Sequence, residues 1–407
     1  MVQDDYIVRD PLLDAEQSLI GYALHWARAA IDEANTQREA HALFDGLRNM
    51  FNDYEAGSQA GKLNYCCYIP ASIALLQADV YTELPVRYAG LMVTPDILAD
   101  TQANEVIRRM RQQGYDILLR RVDINAIRAE WLTICNLVEV QFEAGNFSAQ
   151  AKIYALRKQP NLRMATSSVK SWHEYAVCCK LGLTTFAGCF YLTPHPLATG
   201  KARALNPSQT TLLKLMEGVR ANAEINQLED LLKHDAAISY KLLFYINSAA
   251  FGLSVEIQSL RHAIQMLGYE HLYRWLCVLF ATSEDAGAAP VLMHAALVRG
   301  RMIELLGRIH LSKADAENLF VTGMFSLIDR LLGISMEQAI ENIWLPEAVI
   351  DALVTQTGIY APFLALAHVC ESGQATLNAN LDALGVTTKQ INQAHLEALF
   401  WAQGLLN

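Results

Sequence analysis

The hydrophobic rhythm of the chain changes part-way along. In the first half, short apolar runs alternate with helical stretches, and eight of these runs read as strands: Tyr6–Leu13, Leu19–Trp26, Tyr65–Pro70, Arg87–Val93, Tyr115–Arg121, Leu137–Phe142, Leu162–Ser167 and Thr185–Phe190. Between them lie segments such as Asn104–Gln113, where Val106, Ile107 and Met110 share one helical face and Arg108, Arg109 and Arg111 lie mainly outside it. Strands alternating with helices predict parallel pairing, and eight such units predict a closed barrel. The stretch Thr193–Ala202, with two prolines and a glycine, marks a domain edge. Beyond it the period is helical throughout, in Ile225–Lys233, Ala237–Asn247, Ala296–Ile309 and Ala316–Leu332. The pattern predicts an α/β barrel domain over residues 1–203 and an all-α domain over residues 204–407. Eleven residues, Pro194–Ala204, reach about 35 Å at most, so the two must lie close together.

Composition narrows the possibilities. The 407 residues are 52% hydrophobic and 18% charged, which suits two folded cores rather than a disordered chain. No apolar run approaches the ~18 residues of a membrane span, and Trp275–Ala281 reads as a buried helix, so no membrane insertion is expected. The start Met1-Val-Gln-Asp-Asp lacks the basic and apolar segments of a signal peptide, and cytoplasmic localisation is expected. Eight cysteines without a CxxC pair read as reduced thiols; the doublets Cys66-Cys67 and Cys178-Cys179 suit neither zinc nor a disulfide frame. The net charge is −10, with 20 basic and 22 acidic residues before position 204 and 12 and 20 after it. Neither half has the basic excess of a nucleic-acid binder.

Two families are resembled. Tyr6-Ile-Val-Arg-Asp-Pro-Leu-Leu-Asp14, followed by Ile20-Gly-Tyr-Ala-Leu-His25, resembles the opening of the EAL domain, and Lys180-Leu-Gly-Leu-Thr-Thr-Phe-Ala-Gly-Cys-Phe-Tyr-Leu-Thr-Pro194 resembles its ending. The resemblance spans residues 5 to 200 and implies a (β/α)8 barrel that hydrolyses cyclic di-GMP with two divalent metals. The residues it assigns to metal and water have changed. Ala23 stands for the glutamate of the family's name, Pro70 for an asparagine, and Thr94 or Pro95 for the fourth-strand glutamate. Arg120 and Arg121 replace the paired aspartates of the fifth strand, and Glu139 and Gln141 replace a lysine and an aspartate. Thr166, Lys170 and Ala187 take the remaining places. Two guanidiniums about 4 Å from a divalent cation would repel it by several kcal/mol even at an effective dielectric of about 20. Arg120, Arg121 and Lys170 could instead hold an anion such as a nucleotide phosphate; the plainer alternative is that the arginines reach solvent or pair with Asp116 and Asp123.

The helical half resembles the HDOD domain, a metal-free relative of the HD phosphohydrolases. Asp235, then Asn247-Ser248 and Gly252, then Ser259, Ala263, Ile264, Leu267 and Gly268 follow that family's pattern. The place of the enzymes' His-Asp dipeptide falls on Ser326 and Leu327, and His294 resembles an upstream ligand left by itself. His234-Asp235 is a different feature, with Asp235 reading as a helix N-cap. Asn247 and Ser248, near a helix end, read as partners for local backbone groups.

The combined resemblance is to bacterial EAL–HDOD signalling proteins. It implies a protein that signals through contacts with other signalling proteins, in cyclic di-GMP-related regulation, with no catalytic residues, metal or cofactor; the expectation is that it is not an enzyme. The alternative is a nucleotide-binding receptor using the barrel mouth. EAL barrels often dimerise, so a homodimer is plausible, and nucleic acid is not an expected partner.

Overall fold

A computed structural model describes residues 6–26, 44–48, 66–122, 127–141, 163–167, 169–180, 182–195, 207–247, 257–281, 290–341, 345–372 and 384–406. Eight strands, β1 (Ile7–Leu13), β2 (Leu19–Trp26), β3 (Cys66–Pro70), β4 (Ala89–Val93), β5 (Asp116–Val122), β6 (Leu137–Gln141), β7 (Arg163–Ser167) and β8 (Thr185–Ala187), close into a barrel in chain order. All eight fall where the apolar runs placed them. The last is shorter than expected, because Gly188 takes φ +133° and the chain turns into a 3-10 helix at Phe190–Leu192. A Cβ at Gly188 would stand 2.3 Å from the Val169 carbonyl oxygen, so only glycine lets the strand end this closely against its neighbour.

Pairing is parallel from β2 round to β8, but β1 runs antiparallel to both β2 and β8. Here the expectation of parallel pairing throughout fails. The link between β1 and β2 is a tight turn in which the Asp14 carboxylate accepts the N–H groups of Glu16 (3.0 Å) and Ser18 (2.7 Å) and Gln17 sits at φ 62°. A parallel crossover needs roughly a dozen residues, so this turn permits only a hairpin. Inside the barrel, alternate residues of the strands, among them Leu12, Tyr68, Met92, Leu118 and Leu137, form a core of their own. Outside, helix α1 (Thr101–Gln112), capped by Asp100 on the Ala103 N–H at 2.8 Å, buries Ala103, Ile107 and Met110. Helix α2 (Trp172–Lys180) precedes β8 and buries Trp172, Tyr175 and Cys178.

The helical half comprises α3 (Pro207–Arg220), α4 (Ile225–Lys233), α5 (Ala236–Ile246), α6 (Leu260–Ala281), α7 (Pro290–His310), α8 (Lys313–Phe325), α9 (Ala361–Ser372) and α10 (Thr388–Leu406), with short helical turns between α8 and α9. Asp235 caps α5 as expected, accepting the Ala237 and Ile238 N–H groups at 3.0 Å each. Asn247 closes the other end through Ile257, donating to its carbonyl (2.8 Å) and accepting its N–H (2.7 Å); Ser248 lies outside the described residues. The helix expected over Ala316–Leu332 is broken: α8 ends at Phe325, and a short helix restarts at Ile328. The Ser326 hydroxyl donates to the Gly323 carbonyl at 2.7 Å and draws the last turn closed. Helix α7 is buried along most of its length, and α8 crosses it where Gly300 meets Gly323; a Cβ on Gly323 would lie 2.5 Å from the Gly300 Cα. Among the described residues, no helix is long and apolar enough to cross a membrane.

The hairpin has a consequence for the whole molecule. With no crossover helix following β1, the outer face of that strand is left for the helical half, and α9 packs on it. Among the described residues, β8 reaches β1 only at Leu12 and Leu13, which leaves the other edge of β1 near Ile7 to the helical half. The helical half satisfies it: Asn392 accepts the Ile7 N–H at 2.8 Å, and His395 Nδ1 donates to the Ile7 carbonyl at 3.2 Å.

Candidate functional site

At the barrel mouth, alternation along the strands turns Asp10 of β1, His25 of β2, Arg120 of β5 and Glu139 of β6 towards one another. Arg120 Nε donates to Glu139 at 2.5 Å, and Nη2 donates to Asp10 at 3.3 Å; His25 Nδ1 stands 3.5 Å from Asp10. Burial alone would lower the pKa of Arg120, but Glu139 and Asp10 together hold it above the ordinary value. The alternative pairing with Asp116 is not the one adopted: that carboxylate accepts from Asn136 (2.6 Å) and Tyr68 (3.3 Å) at the other end of the strand, and Asp123 lies outside the described residues. Lys170, beyond β7, is exposed, and its backbone N–H donates to Glu174 at 2.7 Å. Arg121 belongs to β5, but its side chain lies outside the described residues. Of the three residues considered as an anion site, the structure therefore places Arg120 in the mouth and gives it to two carboxylates. Among the described residues, the donors present do not fit the two divalent cations that the EAL resemblance implies. Ala23 and Ala187 carry no donor, and the carboxylates that do face inward, Asp10 and Glu139, are both bound to a guanidinium.

A second cluster was missed by sequence reasoning. It lies between the halves and reaches Ser326, one of the two positions to which the HD resemblance assigns the enzymes' His-Asp pair. Arg9, pointing outward from β1, is 2% exposed; its Nη2 donates to Glu371 of α9 at 2.5 Å and its Nη1 to His395 Nε2 of α10 at 2.6 Å. Because a guanidinium cannot accept, His395 must accept at Nε2 and carry its proton on Nδ1. From the other side Arg299 of α7 grips Glu371, with Nε at 2.9 Å and Nη2 at 2.5 Å from Oε2, and Arg299 Nη1 donates to the Ser326 hydroxyl at 3.0 Å. Burial raises the Glu371 pKa, but Arg299 and then Arg9 outweigh it and hold the carboxyl below its usual value. His395 is driven well below its usual value by burial and by Arg9.

His294, the other residue the HD resemblance singled out, is 3% exposed, and its Nδ1 lies 2.8 Å from the hydroxyl of Tyr22 on β2. Burial, then Arg9, lowers its pKa to about 3, so it is neutral. Cys189 donates to the Glu371 carbonyl (3.6 Å) and Arg330 to the Leu192 carbonyl (3.1 Å), adding contacts across the same junction. The junction is thus held by a buried Arg–Glu–Arg cluster that admits one arginine from the barrel. The only signal for it in the sequence is Arg9 itself, a cation in the middle of an apolar strand.

The family model of the HDOD domain matches residues 205–342. The chain thus carries an HDOD domain over that segment, after an eight-stranded barrel. Helices α9 and α10, which hold Arg9, lie after the matched segment. Cyclic di-GMP phosphodiesterase CdgJ of Vibrio cholerae is 24% identical over 98% of this chain and 93% of its own length. The uncharacterized protein YuxH of Bacillus subtilis is 21% identical over 99% of both chains. A solved structure of the EAL enzyme Bd1971 in its cGMP-bound form aligns with 46% of this chain at 12% identity and a TM-score of 0.37, and the aligned part covers 60% of that chain. The end-to-end match to CdgJ overturns the expectation that the chain is not an enzyme, because a relative matched over 98% of this chain and 93% of its own length bears the name of a phosphodiesterase.

Proposed function

We propose that this EAL–HDOD chain is a signal-transduction protein of cyclic di-GMP-related regulation, acting through contacts that its two joined domains make with other signalling proteins. The observation that carries the reading is the buried Arg9–Glu371–Arg299 cluster. It ties β1 of the barrel to α7, α9 and α10 of the HDOD half, so a partner docking on one domain acts on a strand held by the other. A contact-based signal needs such a mechanical link. The test is crosslinking and affinity capture of the intact chain from native cells, quantifying cyclic di-GMP synthases, hydrolases and receptors. Enrichment that falls when Arg9→Met loosens the junction supports the proposal; no enrichment by the intact chain overturns it.

A second reading, that the chain turns over cyclic di-GMP, is favoured by its full-length likeness to the Vibrio phosphodiesterase. Release of linear dinucleotide by the purified chain with Mg2+ or Mn2+, in proportion to protein, decides it. Binding without turnover in the same assay favours the receptor alternative, in which Arg120 would exchange Glu139 or Asp10 for a ligand phosphate.

A further inference from the structure

Away from the barrel mouth and the junction, α3, α6, α7 and α8 enclose a cavity of about 250 Å3. Gly268, at φ 70° and ψ 165°, breaks α6 there and turns Tyr269, Glu270 and His271 into the wall. Four cations line it: Arg220, Arg274, Arg308 and Lys313. Their carboxylates are few. Lys313 is matched by Glu270 (3.1 Å) and Glu317 (3.6 Å). Behind the wall, the fully buried Glu304 accepts from Arg274 at 2.7 and 2.6 Å, from Arg308 at 2.6 Å and from Arg301 at 3.2 Å. One carboxylate therefore serves three guanidiniums, and among the described residues only Arg301 has a further one, Glu397 at 2.7 Å. Arg220 lies over the Tyr273 ring, 4.3 Å from its centroid. This concentration of positive charge stands in a half of the chain whose net charge is −8.

We propose that the cavity is a binding site for a phosphate group, free or carried on a small molecule. Forked guanidiniums match a tetrahedral oxyanion by paired hydrogen bonds. Burial, and with it the neighbouring Arg301, keeps the Arg274 pKa below the ordinary value in spite of Glu304, so a further anion at the wall would stabilise that cation. A cluster serving structure alone would have no need of an open cavity in front of it. The volume lies under the roughly 300–1,000 Å3 of pockets for drug-sized ligands, so it suits a small phosphorylated molecule and not a cyclic dinucleotide. This site is separate from the barrel mouth, and the inference goes beyond the signalling role.

Calorimetric titration of the intact chain with inorganic phosphate, pyrophosphate and a nucleoside monophosphate, at constant ionic strength against a chloride control, tests it. Saturable binding of at least one of these is expected, weakened about tenfold or more in the double variant Arg308→Gln, Lys313→Gln. Both side chains are at least half exposed, and Glu304 keeps Arg274 and Arg301, so the fold should persist. If the double variant melts early, Lys313→Gln alone carries the comparison. Arg120→Gln leaves the binding unchanged. Tighter binding of the nucleotide supports a carried phosphate, and tighter binding of the free ion supports inorganic phosphate. Binding no stronger than the chloride control, or unaltered by the substitutions at Arg308 and Lys313, overturns the proposal.

Discussion

Replacing Glu371 by glutamine isolates the contribution of the junction. The carboxylate is 2% exposed, and its two guanidiniums are nearly as buried, Arg9 at 2% and Arg299 at 5%. Glutamine keeps the shape and one acceptor but leaves two buried cations without a counter-charge. Removing one partner of a buried ion cluster costs about 3–5 kcal/mol, because the remaining charge has lost both water and its mate. Arg9→Met makes the contrasting change. It removes one cation and leaves the Arg299–Glu371 pair intact and neutral overall, so the loss should be about 1.5–3 kcal/mol, near that of a hydrogen bond to a charged group. Urea unfolding of the two variants and the parent, followed by far-UV circular dichroism and tryptophan fluorescence, measures both. The reasoning predicts a larger loss for Glu371→Gln than for Arg9→Met, with the two signals moving together because the cluster spans both halves. A Glu371→Gln protein within about 1 kcal/mol of the parent, or an Arg9→Met protein less stable than Glu371→Gln, would refute it.

Acid should weaken the same junction through His294. Its folded pKa, lowered to about 3 from 6.5, lies below its unfolded value, so the unfolded chain takes up the proton and stability falls as pH drops through 6.5 towards 3. The loss reaches about 2 kcal/mol at pH 5 relative to pH 8, and the stability difference between the parent and His294→Gln should shrink by that amount over this range. A difference that stays constant with pH speaks against a buried neutral His294. Buried His395 acts in the same direction, and the contribution of Glu371 is lost only as pH falls through its own depressed value. Gly323→Ala should lower stability by about 1–3 kcal/mol by forcing α7 and α8 apart, read as a reduced melting temperature. An unchanged melting temperature would show that the crossing has slack.

Much of the architecture was legible because it is written in local periodicity. Eight runs of strand rhythm and the later helical spacing are properties of neighbours a few residues apart, and the elements fell in those places. Asp235 as a cap and Asn247 as a local partner were legible for the same reason, since their bonds reach residues within about ten positions. The motifs at both ends of the barrel and along the HDOD half were likewise readable as short patterns.

What the tertiary structure decided was which distant faces meet. The alternation of β1 shows only that Arg9 and Asp10 point opposite ways; it does not say that Asp10 will meet Arg120, 110 residues on, or that Arg9 will meet Glu371, 362 residues on. Both outcomes follow from the short turn at Asp14, which makes a hairpin and leaves the outer face of β1 to the helical half. The antiparallel start, the pairing of Arg120 with Glu139 rather than Asp116, and the ion cluster between the halves all depend on that packing. Electrostatic partners are chosen by proximity after folding, whereas periodicity acts before it, and that difference in range separates what the chain's sequence determined by itself from what only the folded molecule could decide.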